Sequence, residues 1–249
     1  FAPVFSFVAN LRGGDANGDA EGSIGAEPSQ SMTGAGEEFT LTLPGMHVYA
    51  LQAGAYAEEQ NAAEYAASLQ SKGGAGYIYK EGDICRVFIA AYTSREDAEN
   101  VQKRLESEQQ ISTKVYEIAA EEQALRVTAD AQTRAELEAL TGENFAYAAD
   151  LIELAMRYDR GEVTAAAVEE RMAELAAQAK KQQAEAKALA KVETQGRAAA
   201  AQAYFAEILQ ILETDKADAA DAEVSARIKH AYMAAAFAER AFLQQAANA

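Results

Sequence analysis

The chain has 249 residues, of which 49% are hydrophobic and 24% charged, material for two modest domains and a tail. A formal net charge of -17 sets it against polyanions such as nucleic acid, since every phosphate contact would be made against the global field. The single cysteine, Cys85, excludes an intramolecular disulfide.

The first segment, Phe1 to Leu11, is strongly apolar. About eleven residues are too few for a bilayer, which needs about twenty in a helix. The segment is expected to be either the outer end of a membrane anchor that lies upstream, or a sticky tail. From Gly13 to Gly36 the composition turns to Gly, Ser, Ala and acids, which cannot bury enough surface to order themselves. Residues 1–37 therefore read as a disordered tether. Within it Asp15, Asn17, Asp19 and Glu21 alternate like early calcium ligands. Ala20 stands where such a loop needs glycine and Ala26 where it needs a bidentate glutamate, so a solvated linker is expected and no metal.

Residues 38–118 read as one small domain. Phe39-Thr40-Leu41-Thr42-Leu43 alternates before Pro44-Gly45 and is expected to dock as an extra edge strand, ended by Pro44. Val48 to Gly54 alternates as a half-buried strand, with Tyr49, Leu51 and Ala53 on one face and Val48, Ala50 and Gln52 on the other. A helix follows the acidic start Glu58-Glu59, with Ala62, Tyr65, Ala66 and Leu69 at helical spacing and Lys72-Gly73-Gly74 as the stop. In the strand from Ile84 to Tyr92, the apolar set Cys85, Val87 and Ile89 belongs against the helices. Ile84, Arg86 and Phe88 point to the other side. Ser94 caps a second helix with the stripe Ala98, Val101 and Leu105, and Lys114 to Ile118 closes the sheet.

The expected class is α+β: a ferredoxin-like β-α-β-β-α-β unit with two helices on one face of a four-stranded antiparallel sheet, followed by an all-α helical bundle. Two helices on one face leave the other face free as a binding surface.

The tract Gln52-Ala53-Gly54-Ala55-Tyr56 and the tract Arg86-Val87 with Tyr92 carry a resemblance. Residues 46–118 resemble a SPOR domain, the sporulation-related repeat that bacterial envelope proteins use to bind peptidoglycan. The family's first half reads Gln-x-Gly-x-Phe, met at Gln52, Gly54 and Tyr56. Its second half reads Arg-Val-x-x-Gly-Pro-Phe, met at Arg86, Val87 and Tyr92, with Ala90 and Ala91 in place of Gly-Pro. The resemblance implies a ligand of peptidoglycan glycan strands, preferably lacking stem peptides, contacted by Gln52 and Arg86. Gln52 both donates and accepts, and Arg86 offers a rigid fork of donors. Ala55 stands where the family often has serine. Ile84 stands where it often has a large aromatic, a loss that Phe88 is expected to offset by stacking on the sugar. Residues 46–118 hold seven Lys and Arg against eleven Asp and Glu. A glycan stripped of its peptides is less anionic than intact peptidoglycan and suits that balance.

Catalysis is not expected. Cys85 lies on the inward parity of its strand and reads as a small core residue. The sharper alternative is a Cys85–His47 pair, but no third orienting residue is evident. His230 reads as a solvated or edge residue of an Ala-rich helix.

Beyond Ile118, residues 119–249 contain no proline and are dominated by alanine. Five helices are expected, the first over Glu121 to Leu140, with breaks at Gly142, Gly161, Gly196 and Asp215 to Asp221. The stripes are Phe145, Ala149, Ile152 and Met156; Val168, Met172, Leu175, Ala179, Gln182, Ala186 and Leu189; Tyr204, Phe205, Ile208, Leu209, Ile211 and Leu212; and Val224, Ile228, Ala231, Ala235, Ala238 and Phe242. Glu-x-x-His spacing is absent, and the glutamates read as solvated faces.

The sequence thus predicts a non-catalytic, extracytoplasmic protein of the bacterial cell envelope, tethered to the membrane by an anchor outside this chain and serving division or sporulation. Its first domain holds glycan and its helical domain binds a protein partner or acts as a spacer. No cofactor is expected. The alternative is an adaptor in which both domains bind protein.

Overall fold

The computed structural model describes residues 36–142, 147–192, 196–213 and 221–248. The tether up to residue 35, its calcium-like alternation and Phe145 lie outside the described residues, while Glu37, counted with the tether from the sequence, already belongs to a strand. The elements are β1 (Glu37–Leu43), β2 (Met46–Tyr56), α1 (Glu59–Gln70), β3 (Tyr77–Glu81), β4 (Ile84–Tyr92), α2 (Arg95–Gln109), β5 (Lys114–Ala120), β6 (Gln123–Ala129), α3 (Ala131–Thr141), α4 (Tyr147–Asp159), α5 (Ala165–Leu189), α6 (Arg197–Glu213) and α7 (Asp221–Asn248).

The expected β-α-β-β-α-β unit forms from β2 to β5, with strand order β3-β4-β2-β5 and every pair antiparallel. Its inner face follows the alternation. Leu51, Cys85, Val87 and Ile89 are buried with Ala62, Ala66 and Leu69 of α1 and Ala98 of α2, while Tyr65, Val101 and Leu105 pack around them. Ser94 caps α2, its hydroxyl accepting from the Asp97 amide at 3.4 Å. β3 and β4 join through a two-residue hairpin turn, Gly82-Asp83, where φ of +60° at Gly82 asks for glycine.

Simple alternation fails at one place. Leu51 pairs with Ala90, Gln52 with Phe88 and Gly54 with Val87, so Ile89 on β4 and Ala53 on β2 are each an extra residue in the ladder. The β4 bulge sends Ile89 and Ala90 to the same side. The β2 bulge brings Ala55 opposite Arg86 and Tyr56 opposite Cys85. Period two alone would put Ala55 on the helix side with Leu51.

The other face of the sheet is not free, which corrects the sequence expectation. Its apolar floor of Val48, Ala50, Phe88, Ala91 and Ile118 is buried in a core shared with α7. Phe237 of α7 stacks on Tyr79 with ring centroids 4.0 Å apart and on Tyr77 at 5.6 Å, and lies 5.7 Å from Phe88. The buried Tyr232 hydroxyl accepts from the Ala91 amide at 2.9 Å. At the start of the crossing, Lys229 Nζ donates to the Gly73 carbonyl at 3.0 Å and pairs with Asp159 at 2.6 Å. His230 sits at the edge, its Nδ1 3.2 Å from the Ala75 carbonyl. The physical reason is area: a floor this apolar is stabilised by about 25 cal/mol for each Å² removed from water, and α7 supplies the cover.

Two further expectations change. β1 does not extend the four-stranded sheet. It pairs with β6 in a separate antiparallel ribbon, Phe39 opposite Val127 and Leu41 opposite Leu125. Residues 123–129, expected as helix, therefore form a strand, and the first helix of the C-terminal region begins at Ala131. Asp130 caps it, accepting from the Thr133 amide at 2.8 Å, and these hydrogen bonds hold its carboxyl below the usual range.

Five helices then run from α3 to α7 among the described residues. All seven stripe positions of α5 are buried, and Gln182 among them accepts a hydrogen bond from the Tyr147 hydroxyl. In α6 Tyr204, Phe205, Ile208 and Leu212 are buried, with Leu209 and Ile211 packed beside them. The α4 stripe is turned from the one expected: Tyr147, Ala148, Leu151, Ile152, Leu154 and Ala155 are buried, and Met156 is only partly so. Nor are all glutamates solvated, because Glu239 is 8% exposed.

Candidate functional site

One end of the α7-covered face stays open, and Gln52 and Arg86 meet there. Arg86, on β4, aims its guanidinium along the sheet and is held by three groups. Its Nε and Nη2 both reach Glu81 Oε2 at 2.7 Å, its Nη1 donates to Gln52 Oε1 at 3.0 Å, and its carbon lies 5.5 Å from the Tyr116 ring centroid. The Arg86 side chain keeps 27% of its surface exposed.

This arrangement fixes which donors remain. A guanidinium can only donate, so Gln52 must turn its Oε1 toward Arg86 and its NH2 away. Among the described residues no partner takes those amide hydrogens, and two of the five Arg86 N–H groups are likewise unspent. Glu81, hydrogen-bonded by Arg86 first and by the Tyr116 hydroxyl at 3.4 Å, has its carboxyl held below the usual range and stays an acceptor. The site therefore offers spare donors, one acceptor and an aromatic wall. A sugar needs such a set, because its hydroxyls require hydrogen bonds and its C–H faces pack on flat rings.

The five residues singled out from sequence do not share one fate. Gln52 and Arg86 touch. Ala55 is exposed and stands opposite Arg86 through the β2 bulge. Ile84 is 37% exposed where β4 begins. Phe88 is fully buried, its ring held between Tyr116 at 5.3 Å and Phe237, so it offers no surface for stacking while α7 is in place. Tyr116, only partly buried, is the aromatic ring beside Arg86 at the open end, and the motif does not include it. Its signal was present: Tyr116 shares parity with Ile118, whose side chain lies in the α7-covered core.

The Cys85–His47 pair is ruled out by position. His47 opposes Ala119 near one end of β2 and bonds Glu117 at 3.1 Å, while Cys85 opposes Tyr56 at the other end. Nine residues of strand span about 30 Å. Cys85 is 2% exposed among helix-face residues. No group of His, Cys, Asp and Glu suited to a metal occurs among the described residues, and no described helix is long and apolar enough to cross a membrane.

No curated protein and no solved structure matches the chain. Residues 47–116 match the family model of the SPOR domain, from just inside β2 to the middle of β5. SPOR domains bind peptidoglycan and are not catalytic, which associates this module with the cell envelope and with cell division. Through the motif residues Gln52, Gly54, Arg86 and Val87, and through a sheet that forms as the motif implies, the chain is shown to carry a SPOR domain over residues 47–116.

Proposed function

We propose that the protein binds peptidoglycan glycan strands at the Gln52–Arg86 end of the sheet, with preference for strands that have lost their stem peptides. The carrying observation is the contact between those two side chains, which leaves donors of both without a partner among the described residues, beside the Tyr116 ring. Ala55 and Ile84 form its small apolar rim. The helical region acts as a cover and spacer: it closes the apolar floor and confines the ligand to the open end. An anchor outside this chain would hold the protein at the membrane.

A second reading has its own support. Because α7 removes most of the sheet face from view, including Phe88, an adaptor that has exchanged glycan binding for protein contacts is also consistent with the fold. Co-sedimentation with purified sacculi separates the two, using intact wall and wall treated with an amidase that removes stem peptides. The glycan reading expects retention that rises on stripping and falls for Gln52→Ala and for Arg86→Ala, each by about 1 to 3 kcal/mol for a lost hydrogen bond in a partly dry site. Equal retention of all three proteins, or none at all, favours the adaptor.

A further inference from the structure

α7 covers the sheet, and it also delivers a charge to the open end. Arg240 lies one turn beyond Phe237. Its Nη2 donates to the Tyr79 hydroxyl at 2.8 Å, and its guanidinium carbon is 5.3 Å from the Tyr79 ring centroid and 4.9 Å from that of Phe237. Tyr79 stands directly opposite Arg86 in the β3–β4 ladder, so the two arginines flank neighbouring positions on the same face. Both act on the same carboxylate, Glu81.

Arg240 forms no ion pair with any described residue, and it is half-buried. The open end therefore brings two guanidiniums, Arg86 and Arg240, to the carboxylate of Glu81. Glu207 and Arg240 both act on Tyr77, two residues before Tyr79 on β3, so Glu207 faces this end as well without forming an ion pair with Arg240. A planar guanidinium set on an aromatic ring, with donors left over, is suited to a ligand carboxylate.

We propose that Arg240 is a specificity-determining residue of the glycan site, where it receives the lactyl carboxylate of muramic acid that is left when a stem peptide is removed. The inference rests on the glycan reading above. Hydrolysis of the amide linking peptide to sugar adds water across that bond, releases the peptide as an amine and leaves one free carboxylate on each muramic residue. An intact strand has an amide there, which carries no charge for Arg240. The preference for stripped strands thus gains a chemical cause: a new anion at a fixed place on the sugar, next to hydroxyls that Gln52 and Arg86 can bond.

The test uses the full chain and soluble amidase-stripped strands in two forms, one with its lactyl carboxylates free and one with them coupled to methylamine as neutral amides. The parent protein should bind the free-acid strand more tightly. Arg240→Gln should weaken that binding about tenfold, the worth of one charge-assisted contact, and leave binding to the amidated strand unchanged. Arg240→Lys should recover part of the loss. Tyr79→Phe, which frees Arg240 from its hydrogen bond while keeping the ring, should give a smaller loss confined to the free-acid strand and serves as a second probe if Arg240→Gln folds poorly. Equal binding of the two strands by the parent protein, or equal weakening of both by Arg240→Gln, overturns the role of Arg240 while leaving the glycan reading standing. No binding of either strand by the parent protein overturns both.

Discussion

The two faces of the four-stranded sheet are closed by different means. On one side α1 and α2, each within a few residues of the strands it covers, bury Leu51, Cys85 and Val87. On the other side α7, more than a hundred residues further along the chain, buries Val48, Ala50 and Phe88. The first cover belongs to the module and the second is added by the rest of the protein. A SPOR sheet can therefore become an internal layer of a larger unit and still keep one end open; the described residues from Gly36 onward form one compact unit.

If the distant cover is as integral as the local one, removing its central ring should cost as much as a core truncation. Phe237 is 6% exposed and touches Tyr77, Tyr79 and Phe88. Phe237→Ala is expected to destabilise the protein by about 3 to 5 kcal/mol in urea unfolding. Backbone amide NMR signals of β2 and β4, reporting the sheet, and helical circular dichroism should still change together. A cost under about 1 kcal/mol, or a sheet that outlasts the helices, would show that α7 rests on the face without being part of its core.

The outer cover also contains a group that the inner one lacks. Glu239 of α7 lies among buried side chains and is felt by the fully buried Tyr204 of α6; burial pushes its carboxyl up to about 8. Below about pH 4.5 both folded and unfolded states hold the proton, and above about 8 neither does. Between those values only the folded state holds it, so stability falls as pH rises across that window. Glu239→Gln should remove this slope, matching the parent near pH 5 and exceeding it at pH 8 by about 2 to 4 kcal/mol. Parallel stability curves for the two proteins would mean that the carboxyl is not desolvated in solution.

The contrast between the faces also sorts what the sequence could reveal. The local cover was legible because its helices carry a single stripe and the strands alternate up to the bulges, as Cys85 and Val87 do. The distant cover was legible only in part. The stripe of Val224, Ile228, Ala231, Ala235, Ala238 and Phe242 accounts for one side of α7, yet Tyr232, Met233, Ala236 and Phe237 are buried as well. A helix apolar nearly all round is buried nearly all round, and that pattern announces a second partner without naming it. β6 was missed for another reason. Leu125 and Val127 have the period of a strand, and Asp130 with Thr133 three residues on marks the true helix start, but the alanines on either side suit a helix equally well. At the site, Gln52 and Arg86 were found through the motif. Tyr116, Tyr79 and Arg240 come from three separate elements and share no local pattern, so only the fold brings them together.

The smallest expected effect concerns the residue that separates the faces along β2. The bulge at Ala53 turns Ala55 toward the open end, and Gly54 follows it beneath the Tyr56 ring. A Cβ at Gly54 would lie 2.6 Å from Tyr56 Cε2 and 3.0 Å from its hydroxyl, so an added methyl needs the ring to move off its packing on Tyr65, 5.9 Å away. The backbone at Gly54 is not in the left-handed region, so this contact and not backbone strain is what an alanine meets. Gly54→Ala should therefore cost about 1 to 2 kcal/mol. The cost should largely vanish when Tyr56 is also shortened to alanine, because the clash has then lost its partner; a double-mutant cycle measures that coupling. If Gly54→Ala costs the same in both backgrounds, the glycine answers to the bulge and not to the ring. Binding of stripped glycan would then fall with stability, since Ala55 and Gln52 would be turned together.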